Sequence, residues 1–492
     1  MYLLGYDVGS SSIKAAIVDA TNGKTVAVSK FPKTEMNIIA TQKNFAEQNP
    51  DLWWTNLCEA TQAVLAKANI NKKEIKAIGI AYQMHGLVCV DEQHEVIRDA
   101  IIWCDSRAVD IGNQAFDSIG EQKCLYHLLN SPANFTASKL AWVKINEPDK
   151  FKNIHKIMLP GDFIAMKMTG KISTTISGLS EGIFWDFRSN DISNDILTHF
   201  NFDSKHFPDI VNTCSIQGKL SEKAALALGL PANIPITYRA GDQPNNALSL
   251  NVLNDGEVAA TGGTSGVVYA VTDKPIFDDK SRINSFAHVN YTSDNQRIGV
   301  LLCINGAGIL NSWLRENLSK ELSYEAINSL ANDIDVGADE LVILPFGNGA
   351  ERLFENKNIG SHFIGLDFNR HTKAHLFRAG LEGIAFAFVY GIELLKTMNI
   401  NINVLRVGND NLFQSNIFSE TVATLGNCKI EVIETTGAVG AAKAAGVGVG
   451  IYQSIDEAVE QVKVISTFNP HADKSEYLQA YERWKGELNK FL

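Results

Sequence analysis

The alternation of apolar and polar positions at the start of the chain predicts a hairpin. Tyr2 to Asp7 reads as a strand, Gly9-Ser10-Ser11-Ser12 as a turn, and Ile13 to Asp19 as a second strand. Pro50 to Ala68 carries Trp53, Leu57 and Val64 at helical spacing, which predicts a helix. Ile75 to Ala81 is an apolar run of strand length and predicts a buried strand. Strands alternating with helices indicate an α/β protein.

The opening pattern recurs past the middle. Glu257 to Thr261 is strand-like, Gly262-Gly263-Thr264-Ser265-Gly266 is a turn, and Val267 to Val271 is a strand. Superposing the two turns sets Gly9 on Gly263, Ser10 on Thr264 and Ser11 on Ser265. A repeat separated by about 250 residues has the period of a domain, so it predicts two related lobes and not a solenoid. Pro231-Ala232-Asn233-Ile234-Pro235 suits a connection, and the lobe boundary is expected near residues 235–255. The tail, Asp456 to Leu492, reads as helix around a polar break at Asn469-Pro470-His471 and as packing material.

Composition narrows the function classes. The 492 residues suit two to four domains at roughly 100–200 residues each. A 45% apolar and 20% charged composition is that of an ordinary globular chain. The net charge is −11 with no basic run, which argues against nucleic acid or an anionic membrane as the main partner. Seven widely spaced cysteines without a C-x-x-C argue against a disulfide framework or a zinc site and fit a reducing cytoplasm. Asp7 interrupts what a signal peptide would continue, and the apolar stretch Ile384 to Leu395 is too short to span a bilayer. The expectation is a soluble cytoplasmic protein.

The candidate chemistry sits at the turns. The chain has neither G-x-x-x-x-G-K-[ST] nor G-x-G-x-x-G, so a nucleotide would be held another way. In Asp7-Val8-Gly9-Ser10-Ser11-Ser12-Ile13-Lys14, glycine permits close backbone approach, hydroxyl and N–H groups suit phosphate oxygens, and an acid at a strand end suits hydrated Mg²⁺. The same residues also describe an ordinary hairpin with a turn-starting Asp. The matching turn at Gly262 to Gly266 favours a two-sided phosphate clamp. Gly241-Asp242-Gln243 ends an apolar run at the lobe boundary, where an acid serves either as a general base or as a turn residue. Gln83-Met84-His85-Gly86 offers a hydroxyl-binding histidine or a satisfied core histidine. Trp103-Cys104-Asp105-Ser106-Arg107 offers sugar-handling groups or a surface ion pair beside a packed indole. Gly437 to Ala442 opens an Ala-rich helix whose small residues suit close packing or nucleotide approach, with packing the simpler reading.

Taken in order, these segments resemble the FGGY carbohydrate kinases, and within them the xylulokinases. The resemblance runs to about residue 450. It is carried by Asp7-x-Gly9-Ser10-Ser11-Ser12-x-Lys14, Glu47-Gln48-Asn49-Pro50 with Trp53-Trp54, Gln83 to Gly86, Trp103-x-Asp105-x-Arg107, Lys139-Leu140-x-Trp142, Gly241-Asp242, Gly262 to Gly266, Glu351-Arg352, and Gly365-Leu366 with His375 to Glu382. It implies a duplicated actin-like, ribonuclease H-like α/β fold whose two lobes, 1–244 and 245–492, face a catalytic cleft.

The activity implied is transfer of a phosphoryl group from ATP to a sugar, O5 of D-xylulose, with Asp242 as the base. The sugar site implied is Met84, His85, Trp103, Asp105, Asp242 and Gln243. The ATP site is Gly9, Ser10, Ser11, Ser12 and Lys14 with Gly262, Gly263, Thr264 and Ser265. Asp7 is placed near Mg²⁺ through water. The chain departs from the family in three places: Gln243 replaces the usual Asn, Gly380 replaces a bulkier residue, and Gly408-Asn409-Asp410-Asn411 replaces a glycine run. The adenosine contacts expected of Gly408, Asn409 and Asn411 are therefore left open. The partners implied are the sugar and ATP, with a homodimer left open. The alternatives are an FGGY kinase for ribulose, glycerol or gluconate, and a non-catalytic actin-like ATP switch.

Overall fold

The computed structural model describes residues 1–409 and 411–492; Asp410 and the side chain of Asn411 lie outside the described residues. Two mixed sheets organise the chain. In the first, Tyr2–Val8, Ile13–Asp19 and Thr25–Phe31 form an antiparallel meander. Ile75–Tyr82 then adds parallel to Tyr2–Val8, and Pro235–Gly241 parallel to Ile75–Tyr82. Cys214–Lys219 closes that edge antiparallel.

The second sheet repeats these directions. Glu257–Gly262, Gly266–Thr272 and Ile298–Ile304 form the meander. Val404–Gly408 and Lys429–Ile433 add in parallel, and Val464–Phe468 closes the edge antiparallel. One further strand, Asn284–Ala287, extends the far edge. The duplication expected from two short turns thus extends through six strands of each sheet, giving the actin-like, ribonuclease H-like architecture.

The local causes are ordinary. Ile75–Tyr82 is buried at every position but Lys76, as a parallel strand covered on both faces must be. Helix Pro50–Ala68 starts at an Asn49 side chain that accepts from the Asp51 N–H, with Pro50 in the first turn, and stops at Asn69 in the left-handed region.

Helix Gly437–Val447 packs across the first sheet. A Cβ on Gly5 would fall 2.0 Å from the Ala438 carbonyl, and one on Gly79 2.0 Å from the Ala441 carbonyl. Its small residues serve close packing, as the simpler sequence reading has it. They give a core between the first sheet and helices Asp242–Ser249 and Gly437–Val447 that includes Ala438, Ala441, Ala442, Leu248 and Leu253.

Two sequence readings need adjustment. The tail is not helical throughout: Val464–Phe468 is a strand between helices Ile455–Glu460 and Ser475–Leu488. Its β-branched run pairs with Lys429–Ile433, and tertiary pairing overrides the surrounding helical pattern. Pro231 to Pro235 leads into the last parallel strand of the first sheet. The chain leaves that sheet through helix Asp242–Ser249 and enters the second at Glu257. No helix among the described residues is long and apolar enough to cross a membrane.

Candidate active site

Three segments of the first sheet end at one place. Tyr2–Val8 delivers Asp7, Ile75–Tyr82 delivers Met84 and His85, and Pro235–Gly241 delivers Asp242 as the first residue of its helix. Gly241 is required there by contact. A Cβ on it would lie 2.5 Å from Glu181 Oε2 and 2.6 Å from Met84 Cγ. The glycine therefore lets Asp242 sit directly above a buried carboxyl group.

Burial raises the Asp242 carboxyl to about 7, with the Asp7 carboxylate adding to the rise; hydrogen bonds from Gln243 and the charge of Lys14 oppose it. Lys14 Nζ lies 3.1 Å from Asp7 Oδ2. Glu181 is 1% exposed, and burial followed by repulsion from Asp242 holds its carboxyl well above the usual range. Its Oε1 has no hydrogen-bond partner among the described residues. Glu181 was not among the sequence candidates. Nothing in Leu179-Ser180-Glu181-Gly182 marks it except an acid at the end of a short buried helix.

His85 adopts a left-handed backbone, φ 60°. Its Nδ1 lies 2.9 Å from the Glu181 carbonyl, which must accept, so Nδ1 carries the proton and Nε2 is left as an acceptor. Burial and the Lys139 charge push the imidazole down to about 3. Lys139 Nζ donates to the His85 and Ile102 carbonyls at 2.8 and 3.0 Å, tying together the two segments expected to bind sugar. Trp103 is half-exposed, and its Nε1 donates to Ser10 Oγ at 3.2 Å, so the Trp103 loop touches the Gly9–Ser12 turn.

Asp105 departs from the expectation of a sugar contact. It is fully buried, and its oxygens accept from Arg107 Nε and Nη2, from the Arg107 N–H and, at 2.6 Å, from the Ala46 N–H. Arg107 in turn pairs with Glu47 at 2.7 Å and stacks over Phe45 at 3.6 Å. With every acceptor direction engaged, Asp105 holds the Trp103 loop and does not face a ligand.

The first turn is pinned by its carbonyls. Gly9 N–H closes onto Ser12 O at 3.1 Å, Gln48 Nε2 donates to Ser10 O at 2.7 Å, and the Met36 N–H to Ser11 O at 2.9 Å. Ser12 is buried and Ser11 exposed. Gly437, at the N-terminus of its helix, faces the same spot: a Cβ there would lie 3.2 Å from Asp7 Oδ2.

The second turn opens onto a cavity of about 520 Å³. Gly263 and Thr264 line it, and their carbonyls accept from the Gly308 and Ile309 N–H groups, joining the turn to helix Gly308–Leu318. The other walls include Asn311, Ser312, Tyr324, Gln414 and Asn416. Size and polarity suit a nucleoside. These residues carry no motif, so sequence reading did not find them. Gly262 packs on Leu412 behind the turn, and Ser265 is half-buried within it. Gly408 and Asn409 do not line the cavity; Gln414 Nε2 reaches the Asn409 carbonyl at 3.4 Å, so the wall is built one turn later. The side chain of Asn411 lies outside the described residues.

Comparison with known proteins gives the family. The N-terminal domain of the FGGY family of carbohydrate kinases matches residues 2–249, and its C-terminal domain residues 258–449. The chain belongs to the FGGY family of carbohydrate kinases. It is 29% identical over 496 residues to the xylulose kinase of Bacillus subtilis, covering 98% of this chain and 94% of that one. The solved xylulose kinase of Rhodospirillum rubrum superposes with a TM-score of 0.89 at 23% identity, covering 100% and 99% of the two chains. The gluconate kinase of Lactobacillus acidophilus superposes at 0.87 and 21%, covering 99% and 98%. As an FGGY kinase the chain is an ATP-dependent sugar phosphotransferase.

The turn-to-helix contact carries an expected result. Gly263→Val puts a branched side chain on a residue that lines the cavity beside Gly308. ATP affinity measured by calorimetry should fall roughly tenfold or more, a loss of about 1.4 kcal/mol, while sugar affinity stays within error. Unchanged ATP binding would remove this turn from the nucleotide site.

Proposed function

We propose that this kinase transfers the γ-phosphoryl group of ATP to O5 of D-xylulose, with Asp242 as the general base. The observation that carries the reading is the Asp242 carboxyl, raised to about 7 where the sugar-side segments and the first phosphate turn converge. A base of that strength is half-ionised near neutral pH and still strong enough to take a hydroxyl proton. Phosphoryl transfer asks the protein mainly for positioning and charge neutralisation. Met84, His85 and Trp103 border the place where the sugar would lie. His85 Nε2 accepts from one hydroxyl, and the protonated Glu181 carboxyl donates to another. Gln243 holds Asp242. Asp105 positions the Trp103 loop.

The N–H and hydroxyl groups of Ser10, Ser11 and Ser12, with Lys14, face one side of the polyphosphate, Gly9 giving it close approach while its own N–H closes the turn, and Gly263, Thr264 and Ser265 face the other. Among the described residues no cluster of three or more His, Cys, Asp or Glu side chains could cage a metal. That suits Mg²⁺, which binds through phosphates, waters and one or two carboxylates. Asp7 would hold it, and the bound ion would neutralise charge on the phosphates.

The lobes are divided in this reading at 244 and 245, supported by sheets built from residues 2–241 and 257–468. The cytoplasm is the proposed compartment, in keeping with seven free thiols.

A panel of D-xylulose, D-ribulose, glycerol and D-gluconate, assayed for acceptor-dependent ADP release, tests the assignment. D-xylulose should give the highest kcat/KM. An inert D-xylulose beside a good alternative would overturn the substrate and leave the kinase. No acceptor-dependent release at all would favour a nucleotide switch.

A further inference from the structure

A second cavity, of about 790 Å³, runs along helix Gly437–Val447 from Thr436 at its N-terminus past Val439 to Lys443. One wall is the turn Asn22-Gly23-Lys24-Thr25 of the first sheet. The other is the end of strand Lys429–Ile433 with the segment 461–463 leading into strand Val464–Phe468 of the second sheet. It therefore bridges the two halves of the molecule.

Its charge is opposite to that of the chain. Three lysines, Lys24, Lys443 and Lys463, line it against one carboxylate, Glu434, which is already paired with Lys463 at 2.5 Å. Lys443 is the unusual member. It is 7% exposed, it rises from a helix of small residues, and its Nζ lies 3.7 Å from where a Gly23 Cβ would be. Its hydrogen bond is a long one, 3.3 Å to the Gln461 carbonyl, and no carboxylate lies within ion-pair distance of it among the described residues. Burial lowers its affinity for the proton. A buried ammonium without an anion is a costly arrangement, and a methionine or leucine would pack there without that cost. An anionic ligand resolves it.

We propose that this cavity is a binding site for a phosphorylated small metabolite, with Lys443 contacting the phosphate from the floor and Lys24 from the rim. The volume exceeds what one phosphate needs and falls in the range of metabolite pockets. The site is separate from the ATP cavity, whose lining contains no lysine. An occupant ties the Asn22–Thr25 turn to the strands of the other half, so binding is felt as stability of the two-lobe unit.

Calorimetry and thermal unfolding of the full chain test this with inorganic phosphate and, separately, glycerol 3-phosphate, at constant ionic strength. The Gly263→Val background weakens phosphate binding at the second turn, and any binding left at the first turn is untouched by Lys443→Met, so the part of the signal that depends on Lys443 reports the new site. Phosphate should raise Tm saturably by about 10 mM, and glycerol 3-phosphate should do so at lower concentration if the site takes metabolites and not free phosphate alone. Lys443→Met should bind both probes about tenfold more weakly or not at all. In phosphate-free buffer it should melt higher than the parent, and the gap should close as phosphate is added. Equal affinity in Lys443→Met and parent, or no saturable binding in the Gly263→Val background, overturns the proposal. If Lys443→Met does not fold, Lys24→Ala/Lys463→Ala replaces it: a loss of about threefold or more in affinity supports the site and an unchanged affinity overturns it. These readouts do not involve turnover, so they stand apart from the substrate assignment.

Discussion

Asp242→Ala is expected to lower kcat by roughly 10²–10⁴-fold, the usual worth of a positioned base. The substitution removes the carboxyl group and leaves its surroundings. Gly241 still clears Glu181 and Met84, Asn245 still donates to the Gly437 carbonyl at 2.9 Å, and the cavity proposed for the nucleoside lies on other elements. ATP affinity should therefore hold.

Stability should move in the opposite direction to activity. Because the folded Asp242 carboxyl titrates near 7 and an unfolded one near 4, the folded state binds more protons between those values. The group is neutral to stability below about pH 4, becomes destabilising as pH rises through the window, and reaches its full cost above about pH 7. Asp242→Asn, which keeps the shape without the charge, should thus melt higher than the parent at pH 8 and no higher at pH 4. Normal turnover in a folded Asp242→Ala protein would remove this residue from the chemistry.

The second large effect concerns Asp105, and it is an effect on folding. Asp105→Ala leaves the Arg107 guanidinium, 1% exposed, with one of its two acidic partners gone, and leaves the Ala46 N–H without an acceptor. Breaking a buried pair in this way costs about 3–5 kcal/mol, a large part of a typical stability of 5–15 kcal/mol. The urea midpoint should drop clearly. Turnover should fall with it, because Trp103 and its bond to Ser10 depend on this loop. The paired replacement Asp105→Leu with Arg107→Met should recover much of the midpoint. An unchanged midpoint with a raised sugar KM would restore Asp105 as a direct sugar contact.

The two Gly/Ser/Thr turns and the G-D pair stand out in the sequence because each displays a residue type with a local cause: glycine at a close approach, hydroxyls at a turn, an acid at a strand end. Two such turns were enough to point to a duplicated fold, since each opens the same three-stranded meander. Asp105 was misjudged for a physical reason. It accepts from the Ala46 N–H, and its neighbour Arg107 pairs with Glu47; both lie far back along the chain and are brought there beside the pairing of Glu47–Gln48 with Ala100–Ile101. Glu181 was invisible because what sets it apart comes from its surroundings, the packing of Gly241 and Tyr82 against a buried carboxyl that has no ion pair among the described residues. The cavity proposed for the nucleoside was likewise unreadable. It is assembled from helix faces at Asn311, Tyr324 and Gln414, separated by many residues and carrying no pattern of their own. Strand Val464–Phe468 was lost inside a helical reading because its partner strand was not yet in view.

The pH dependence of kcat/KM for D-xylulose at saturating ATP tests the central claim most directly. With Asp242 as the base, log kcat/KM should rise with a slope near one up to about pH 7 and then level off. A profile flat from about pH 5 to 8, the acid limb lying instead at an ordinary carboxylate value near 4, would contradict a buried Asp242 acting as the proton acceptor.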